Sequence, residues 1–78
     1  MICVTELLAE LCEDERVRDP DCELIDSGLL DSLAMIDLFA ALADEGIALY
    51  PTRIDRNRLK TPRAIAALIA EQTDDVTV

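Results

Sequence analysis

The sequence predicts an all-α domain with three longer helices, one short helix and a long first loop. Apolar residues make up 51% of the 78 residues but aromatic residues only 3%, so the core must be built from aliphatic side chains, as suits a helical bundle. Two glycines and three prolines offer little material for the many tight turns of a small all-β fold. At this length we expect one domain, residues 1–78, with residues 72–78 as a frayed tail.

The first helix is predicted from Val4 to about Arg18, with Thr5 as a candidate cap. Asp19-Pro20 ends the pattern because the residue before a proline is disfavoured in a helix. Apolar residues recur at helical spacing along the first part of this segment and form one stripe. The stripe consists of Val4, Leu7, Leu8, Leu11 and Cys12.

The long connection from Asp19 to Asp31 is rich in Asp, Pro, Ser and Gly, and Asp26-Ser27-Gly28 is typical of a turn. It also contains four large aliphatic residues, which is too many for a free linker. Because long ordered connections are usually held by their own side chains, we expect some of the four to pack into the bundle. They are Leu24, Ile25, Leu29 and Leu30.

The second helix is predicted from Ser32 or Leu33 to about Asp44, with Gly46 just past its C-terminal cap. Leu33 and Ala40 fall at the margin of its buried stripe and leave a partly apolar surface beside Ser32. This surface is either a partner contact or a set of harmless exposed aliphatic residues. The buried stripe consists of Met35, Leu38, Phe39 and Leu42.

Residues 47–51 alternate as a strand does, but no second strand is evident to pair with them, so we expect an extended linker. The residues Ile54, Asp55 and Leu59 then fit one short helical turn. Thr61-Pro62 is a typical N-cap followed by a proline in the first helical position, and it predicts a last helix to about Gln72. The buried stripe of that helix consists of Ile65, Leu68 and Ile69.

The hydroxyl of Ser32 is expected at the N-terminus of the second helix, within Gly-Leu-Leu-Asp-Ser-Leu at positions 28–33. Helix N-termini present unpaired N–H groups and the positive end of the helix dipole, so a phosphate on Ser32 would be stabilised there. Asp and Ser before an apolar run are also the ordinary capping residues, and capping is the default interpretation of Asp31.

The string Gly-Leu-Leu-Asp-Ser-Leu resembles the attachment motif of acyl and peptidyl carrier proteins, and the helix order resembles their four-helix carrier-protein bundle. In that family the serine of the motif, Ser32 here, carries 4′-phosphopantetheine as a phosphodiester. The strings Leu-Leu-Asp-Ser-Leu, Gly-Ile-Ala-Leu, Ile-Asp-Arg-Asn and Thr-Pro-Arg-Ala-Ile are most similar to stand-alone D-alanyl and related aminoacyl carrier proteins.

The resemblance implies a carrier that holds an aminoacyl or acyl group as a thioester on a phosphopantetheine arm attached to Ser32. Its implied partners are a phosphopantetheinyl transferase, an ATP-dependent aminoacyl- or acyl-activating ligase and a downstream acyltransferase. Asp31 either caps the helix or lies near the divalent metal that the transferase brings. Two alternatives stay open: an acyl carrier for fatty-acid, polyketide or peptide synthesis, and a helical adaptor without a cofactor.

No catalytic constellation is visible, so the sequence does not predict an enzyme. There is no histidine, and the three cysteines Cys3, Cys12 and Cys22 lack zinc-ligand spacing, so no metal site is predicted. The net charge of −10 would repel nucleic acids. The absence of a signal or membrane-spanning pattern predicts a cytoplasmic protein without membrane insertion, and we expect it to be monomeric when free.

Five of the seven basic residues lie between Arg53 and Arg63, whereas the second helix carries few acids; fatty-acid carriers are typically more acidic along that face. We therefore expect partners to contact the apolar surface around Ser32, at Leu33 and Met35 beside Asp31, together with the basic segment. The basic residues assigned to this contact are Arg56 and Arg58. The alternative is that the basic run only balances nearby acids on a solvated surface.

Ser27 is the only other serine, and it is followed by Gly28 in a turn with no helix start behind it. We expect it to stay unmodified, so it serves as an internal control for Ser32.

Overall fold

The computed structural model describes residues 1–50 and 53–78 and is mainly helical, as predicted. These residues form three α-helices, α1 at Val4–Cys12, α2 at Ser32–Asp44 and α3 at Pro62–Ala70. They also form two four-residue 3₁₀ helices, at Glu15–Arg18 and Arg56–Leu59. None of the helices in this part of the chain is long and apolar enough to cross a membrane.

The described residues contain no fourth α-helix, so the four-helix count is not confirmed. The predicted short helix is the 3₁₀ helix at Arg56–Leu59. It begins after Asp55, whose side chain accepts a hydrogen bond from the Asn57 N–H at 2.9 Å. It cannot extend far, because Thr61 is already extended and starts α3. The five residues between Asp55 and Thr61 leave space for little more than one turn.

Helix α1 ends at Cys12, not near Arg18 as predicted. Glu13 adopts the left-handed conformation with φ 53°, and its N–H donates to the Ala9 carbonyl at 3.0 Å. Asp14 is extended, and its carboxylate accepts from the Arg16 N–H at 2.9 Å, which starts the 3₁₀ helix. An Asp in this acidic run therefore acts as a second cap and interrupts the helix.

The prediction that Thr5 caps α1 is wrong. The N-cap position of this helix is Cys3, whose side chain forms no capping hydrogen bond, and Thr5 lies inside the first turn. The start of α1 is set instead by the strand β1, Ile2–Cys3, which runs directly into it.

The aliphatic residues of the first loop pack against the helices, as expected. Leu24 and Leu30 are fully buried, and Ile25 and Leu29 lie half-buried against the same core. The Leu24 N–H donates to the carbonyl of Lys60 at 2.7 Å, and the Leu30 N–H donates to the carbonyl of Leu24 at 3.0 Å. The loop is therefore fixed to the bundle immediately before Asp31.

Helices α2 and α3 have the predicted caps and most of the predicted faces. Gly46 follows the α2 cap with φ 85°, and Thr61 Oγ1 accepts from the Ala64 N–H at 3.1 Å. Helix α3 ends at Ala70, two residues before the predicted Gln72. The buried residues of the two helices are Ala34, Leu38 and Leu42 from α2 and Pro62, Ile65, Ala66, Leu68 and Ile69 from α3, while Met35 and Phe39 are half-buried.

The two ends of the chain lie together. Strand β1 pairs in parallel with β2, Val76–Thr77, so that Ile2 lies opposite Val76. The Ile2 N–H donates to the Asp75 carbonyl at 2.9 Å, and the N-terminal ammonium lies 3.2 Å from the Asp75 carboxylate. Residues 72–78, expected to fray, are thus held in the structure by main-chain pairing, which two-residue strands do not reveal in a sequence pattern.

The predicted linker at 47–51 has no regular secondary structure at residues 47–50, where Ile47 is buried and Tyr50 is exposed. Pro51, the last residue of that prediction, lies outside the described residues.

Candidate functional site

Ser32 is the first residue of α2 and its side chain is exposed. The preceding residue, Asp31, is the N-cap: its Oδ1 accepts a hydrogen bond from the Ala34 N–H at 2.8 Å, and its carbonyl accepts from the Met35 N–H at 2.9 Å. Asp31 thus satisfies one of the N–H groups that have no partner inside the helix. The N–H groups of Ser32 and Leu33, which also precede the first intrahelical bond, lie at the same end.

The loop before the helix places these residues at the surface. Gly28 makes the turn with φ 79°, a conformation that residues with a Cβ rarely adopt, and its N–H donates to the Ile25 carbonyl at 3.1 Å. After this turn, Leu30 is buried in the core, whereas the next two residues, Asp31 and Ser32, are exposed to solvent. Burial of Leu30 therefore fixes the position at which the Ser32 hydroxyl emerges.

Ser32 lies on the rim of an open depression of about 280 Å³, which we call the Ser32–Arg56 depression. The remaining lining residues are Met35, Ile36, Phe39 and Arg56. Arg56 is the only charged residue among them. Helix α2 and the second 3₁₀ helix thus bring two residues predicted as partner contacts, Met35 and Arg56, to the same place as Ser32.

Ile36 is a surface residue of this site that the sequence reasoning missed. Its side chain is 62% exposed although it is large and aliphatic. The signal was present in the sequence, because Ile36 follows Met35 and falls outside the buried stripe of the second helix. Together with Leu33, which is 69% exposed, it makes the beginning of α2 apolar on its solvent side.

Asp31 and Leu33 lie on the other side of Ser32, in a smaller depression of about 200 Å³ that we call the Cys12 depression. Leu33 is at its surface as predicted, but it does not line the same depression as Met35 and Arg56. The residues lining the Cys12 depression are Leu11, Cys12, Leu29, Asp31, Leu33, Ala34 and Asp37.

Arg58, also predicted as a partner contact, is directed elsewhere. Its guanidinium forms an ion pair with the carboxylate of Glu71, just after α3, and it lines a separate depression with Tyr50 and Arg53. The structure therefore does not bring Arg58 to the Ser32–Arg56 depression, although Arg56 is only two residues away.

Cys12 lines the same depression as Asp31 and Leu33. The Cys12 thiol donates a hydrogen bond to the Leu29 carbonyl at 3.3 Å. Burial, and then the nearby Asp31 carboxylate, raise the pKa of the Cys12 thiol above its ordinary value. Within the ranges 1–50 and 53–78, no group of three or more His, Cys, Asp or Glu residues is placed to hold a metal ion.

Residues 4–69 match the model of a protein family described as a phosphopantetheine attachment site. The chain belongs to the phosphopantetheine-attachment family. Members of this family are carriers of a 4′-phosphopantetheine prosthetic group, so the protein is a carrier protein and not an enzyme. The predicted family and cofactor are confirmed.

Curated relatives match most of the length of this carrier protein. It is 41% identical over 71 residues to the D-alanyl carrier protein of Abiotrophia defectiva, covering 88% of this chain and 90% of the relative. It is 37% identical over 70 residues to the D-alanyl carrier protein of Bacillus subtilis, covering 87% of this chain and 90% of that relative. It is also 39% identical over 64 residues to the lincomycin biosynthesis protein LmbN of Streptomyces lincolnensis, covering 82% of this chain but only 23% of that protein.

Proposed function

We propose that Ser32 carries the phosphopantetheine group and that the protein holds an aminoacyl group, with D-alanine as the first candidate, as a thioester on that arm. The observation that carries this assignment is the exposed Ser32 hydroxyl at the first position of α2, within the segment that matches the family. When bound, the prosthetic group supplies the thiol that holds the acyl group. The D-alanyl relatives support the choice of cargo.

The local structure around Ser32 fits a phosphodiester. A negative charge near the N-terminus of a helix is stabilised by about 0.3–1 kcal/mol through the helix dipole and the unpaired N–H groups of the first turn. The hydroxyl is accessible from solvent, while Asp31 and the buried Leu30 hold the backbone on its N-terminal side. In the attachment step, Ser32 Oγ forms a bond to the β-phosphorus of coenzyme A, the hydroxyl proton is lost and adenosine 3′,5′-bisphosphate leaves.

The carrier needs partners that modify, load and unload it. These are a phosphopantetheinyl transferase, an ATP-dependent ligase that activates the aminoacyl group and a downstream acyltransferase. The exposed aliphatic side chains of Leu33 and Ile36 on either side of Ser32 give these partners an apolar surface, with Asp31, Met35 and Arg56 adjacent to it. We place Arg58 outside this surface unless its ion pair with Glu71 opens. The protein is proposed to act in the cytoplasm as a monomer when free.

The 3₁₀ helix at Arg56–Leu59 is proposed to be the counterpart of the short helix in the four-helix carrier bundle. It occupies the expected place between α2 and α3, and its Leu59 is buried in the core.

Intact mass spectrometry tests the assignment. The protein is coexpressed with a broad-specificity phosphopantetheinyl transferase as wild type, Ser32→Ala and Ser27→Ala. Ser27 is also exposed, so it is a matched control for accessibility. We expect the wild type and Ser27→Ala to gain one phosphopantetheine and Ser32→Ala to gain none. A modified Ser32→Ala protein would refute Ser32 as the site, and an unmodified wild type would favour the cofactor-free adaptor.

A second candidate function is a carrier in another biosynthetic pathway, and the similarity to part of LmbN favours it. To separate the two, the modified protein is incubated with ATP and either a D-alanine-activating ligase or ligases for other amino acids and for fatty acids. A mass gain of one D-alanyl group supports the first proposal. If only one of the other ligases loads the protein, the acyl group of that ligase would replace D-alanine as the proposed cargo.

A further inference from the structure

Arg56 differs from Arg58 and Arg63 in having no acidic partner in the described part of the chain. Arg58 pairs with Glu71, and Arg63 pairs with Asp21 at 3.0 Å. The acid next to Arg56 in sequence, Asp55, directs its Oδ1 to the Asn57 N–H. The Arg56 guanidinium is exposed and is not neutralised by an ion pair among residues 1–50 and 53–78.

The position of Arg56 is the second observation. It lines the Ser32–Arg56 depression together with Ser32 and the apolar side chains of Met35, Ile36 and Phe39. The depression thus combines a hydroxyl, one cation and an apolar floor. A phosphopantetheine arm has the matching order of groups, with an anionic phosphodiester at the attachment point and a largely uncharged chain beyond it.

We propose that Arg56 pairs with the phosphodiester on Ser32 and that the first part of the arm lies in the Ser32–Arg56 depression when no partner is bound. This inference rests on the proposed attachment at Ser32 and adds a positioning residue to it. Guanidinium groups are well suited to phosphate because their N–H donors form charge-assisted hydrogen bonds with its oxygens. Since the pair is exposed, the arm is biased toward this position and still able to leave it for a partner.

In this arrangement Arg56 contacts the carrier's own prosthetic group and not a partner protein. Arg58 is the matched control, because it has the same side chain in the same 3₁₀ helix but lines a different depression and pairs with Glu71. A pairing that arose only from the general positive charge of this segment would involve both arginines equally.

The test compares the ¹⁵N-labelled apo-protein with the phosphopantetheine-modified protein, whose modification is established by intact mass. We expect the Nε–H resonance of Arg56 to shift on modification, and those of Arg58 and Arg63 to stay in place. Raising the salt concentration to about 1 M, where the screening length is about 3 Å, should reverse the Arg56 shift. In the modified Arg56→Gln protein, the ³¹P resonance should move away from its wild-type position, whereas in Arg58→Gln it should not.

The outcomes separate the two proposals. No mass gain in the wild type removes the attachment and this inference with it. A mass gain at Ser32 with an unshifted Arg56 resonance leaves the attachment standing and overturns the role of Arg56. An Arg56 shift that appears only after a ligase is added would also overturn it, because Arg56 would then be a partner contact. The wild-type resonances give the answer even if Arg56→Gln fails to fold.

Discussion

The Asp31 carboxylate accepts a hydrogen bond from the backbone N–H of Ala34 at 2.8 Å, across the first turn of the helix that Ser32 begins. This bond satisfies a main-chain donor that would otherwise lack a partner, and it sets the first residue of α2 at Ser32. The family resemblance implies, as an alternative to capping, that this carboxylate lies near the divalent metal that the transferase brings. The two roles make different predictions for two substitutions.

Replacing Asp31 with Ala should lower the free energy of unfolding by about 1 kcal/mol, because the cap is lost, while Asp31→Asn should retain most of the stability, because Asn caps as well as Asp. Urea denaturation measures both. Thr61→Ala, which removes the corresponding cap of α3, is the matched control and should lower the free energy of unfolding by a similar amount. If Asp31→Asn is stable yet modified much more slowly by the transferase, the carboxylate has a second role beyond capping.

Leu30→Ala should destabilise the protein by about 2–5 kcal/mol, because Leu30 is buried in the core and its loss leaves a cavity. Leu33→Ala, three residues further on, should change stability by no more than about 0.5 kcal/mol, because Leu33 is exposed. Thermal or urea unfolding measures the difference. We expect Leu33→Ala instead to reduce loading by the ligase. Equal stability losses for both variants would contradict the packing of the first loop.

The Cys12 thiol should react with iodoacetamide more slowly than an unstructured thiol near pH 8, because its raised pKa leaves less thiolate. Burial is the larger cause and Asp31 the second, so Asp31→Asn should speed the reaction only modestly. Mass spectrometry of peptides follows the alkylation of each cysteine separately. A rate at Cys12 equal to that of the urea-unfolded chain would contradict the burial.

The raised pKa of Cys12 also has a consequence for stability. The unfolded chain, in which this thiol has its ordinary pKa, releases the proton first as the pH rises. The Cys12 contribution to stability is therefore present at neutral pH and is lost on the alkaline side. Cys12→Ser should flatten this alkaline decline in urea titrations, and a decline of unchanged size would assign it to other groups.

Deleting residues 74–78 should lower the free energy of unfolding by about 1–2 kcal/mol, because it removes the partly buried Val76 and Val78 and the strand that pairs with Ile2. In hydrogen exchange, the Ile2 N–H should lose its protection, since its acceptor is the Asp75 carbonyl. Asp75→Asn is the control for the ion pair alone. It should have little effect, because both charged groups are exposed. An unprotected Ile2 N–H in the intact chain would contradict the strand pairing.

The sequence predicted those parts of the fold that are encoded locally. Thr61-Pro62, Gly46 and the aliphatic stripe of α3 are each recognisable from neighbouring residues, and each lies where it was expected. The end of α1 was not predictable in the same way, because Glu13 and Asp14 differ little in type from the acids of the helix before them. Which of several acids turns its side chain back to the main chain depends on the packing that follows.

The site was predictable at Ser32 and less so around it. The exposure of Ser32 follows from its place at a helix start, but the separation of Arg56 from Arg58 does not. Both arginines lie in one short segment, and only the fold brings Glu71 to one and Ser32 to the other. Contacts between residues far apart in sequence have no local pattern, which is also why the pairing of β1 with β2 was missed.

The paired termini lie beside the C-terminal end of α2, since Met1, Ile2, Asp44 and Glu45 line one depression. Ser32 begins the same 13-residue helix, so about 20 Å of helix separates it from both chain ends. An affinity tag, a surface tether or a neighbouring domain attached through either terminus would therefore start about one helix length away from Ser32. Copies immobilised through a terminus would keep Ser32 at that distance from the support.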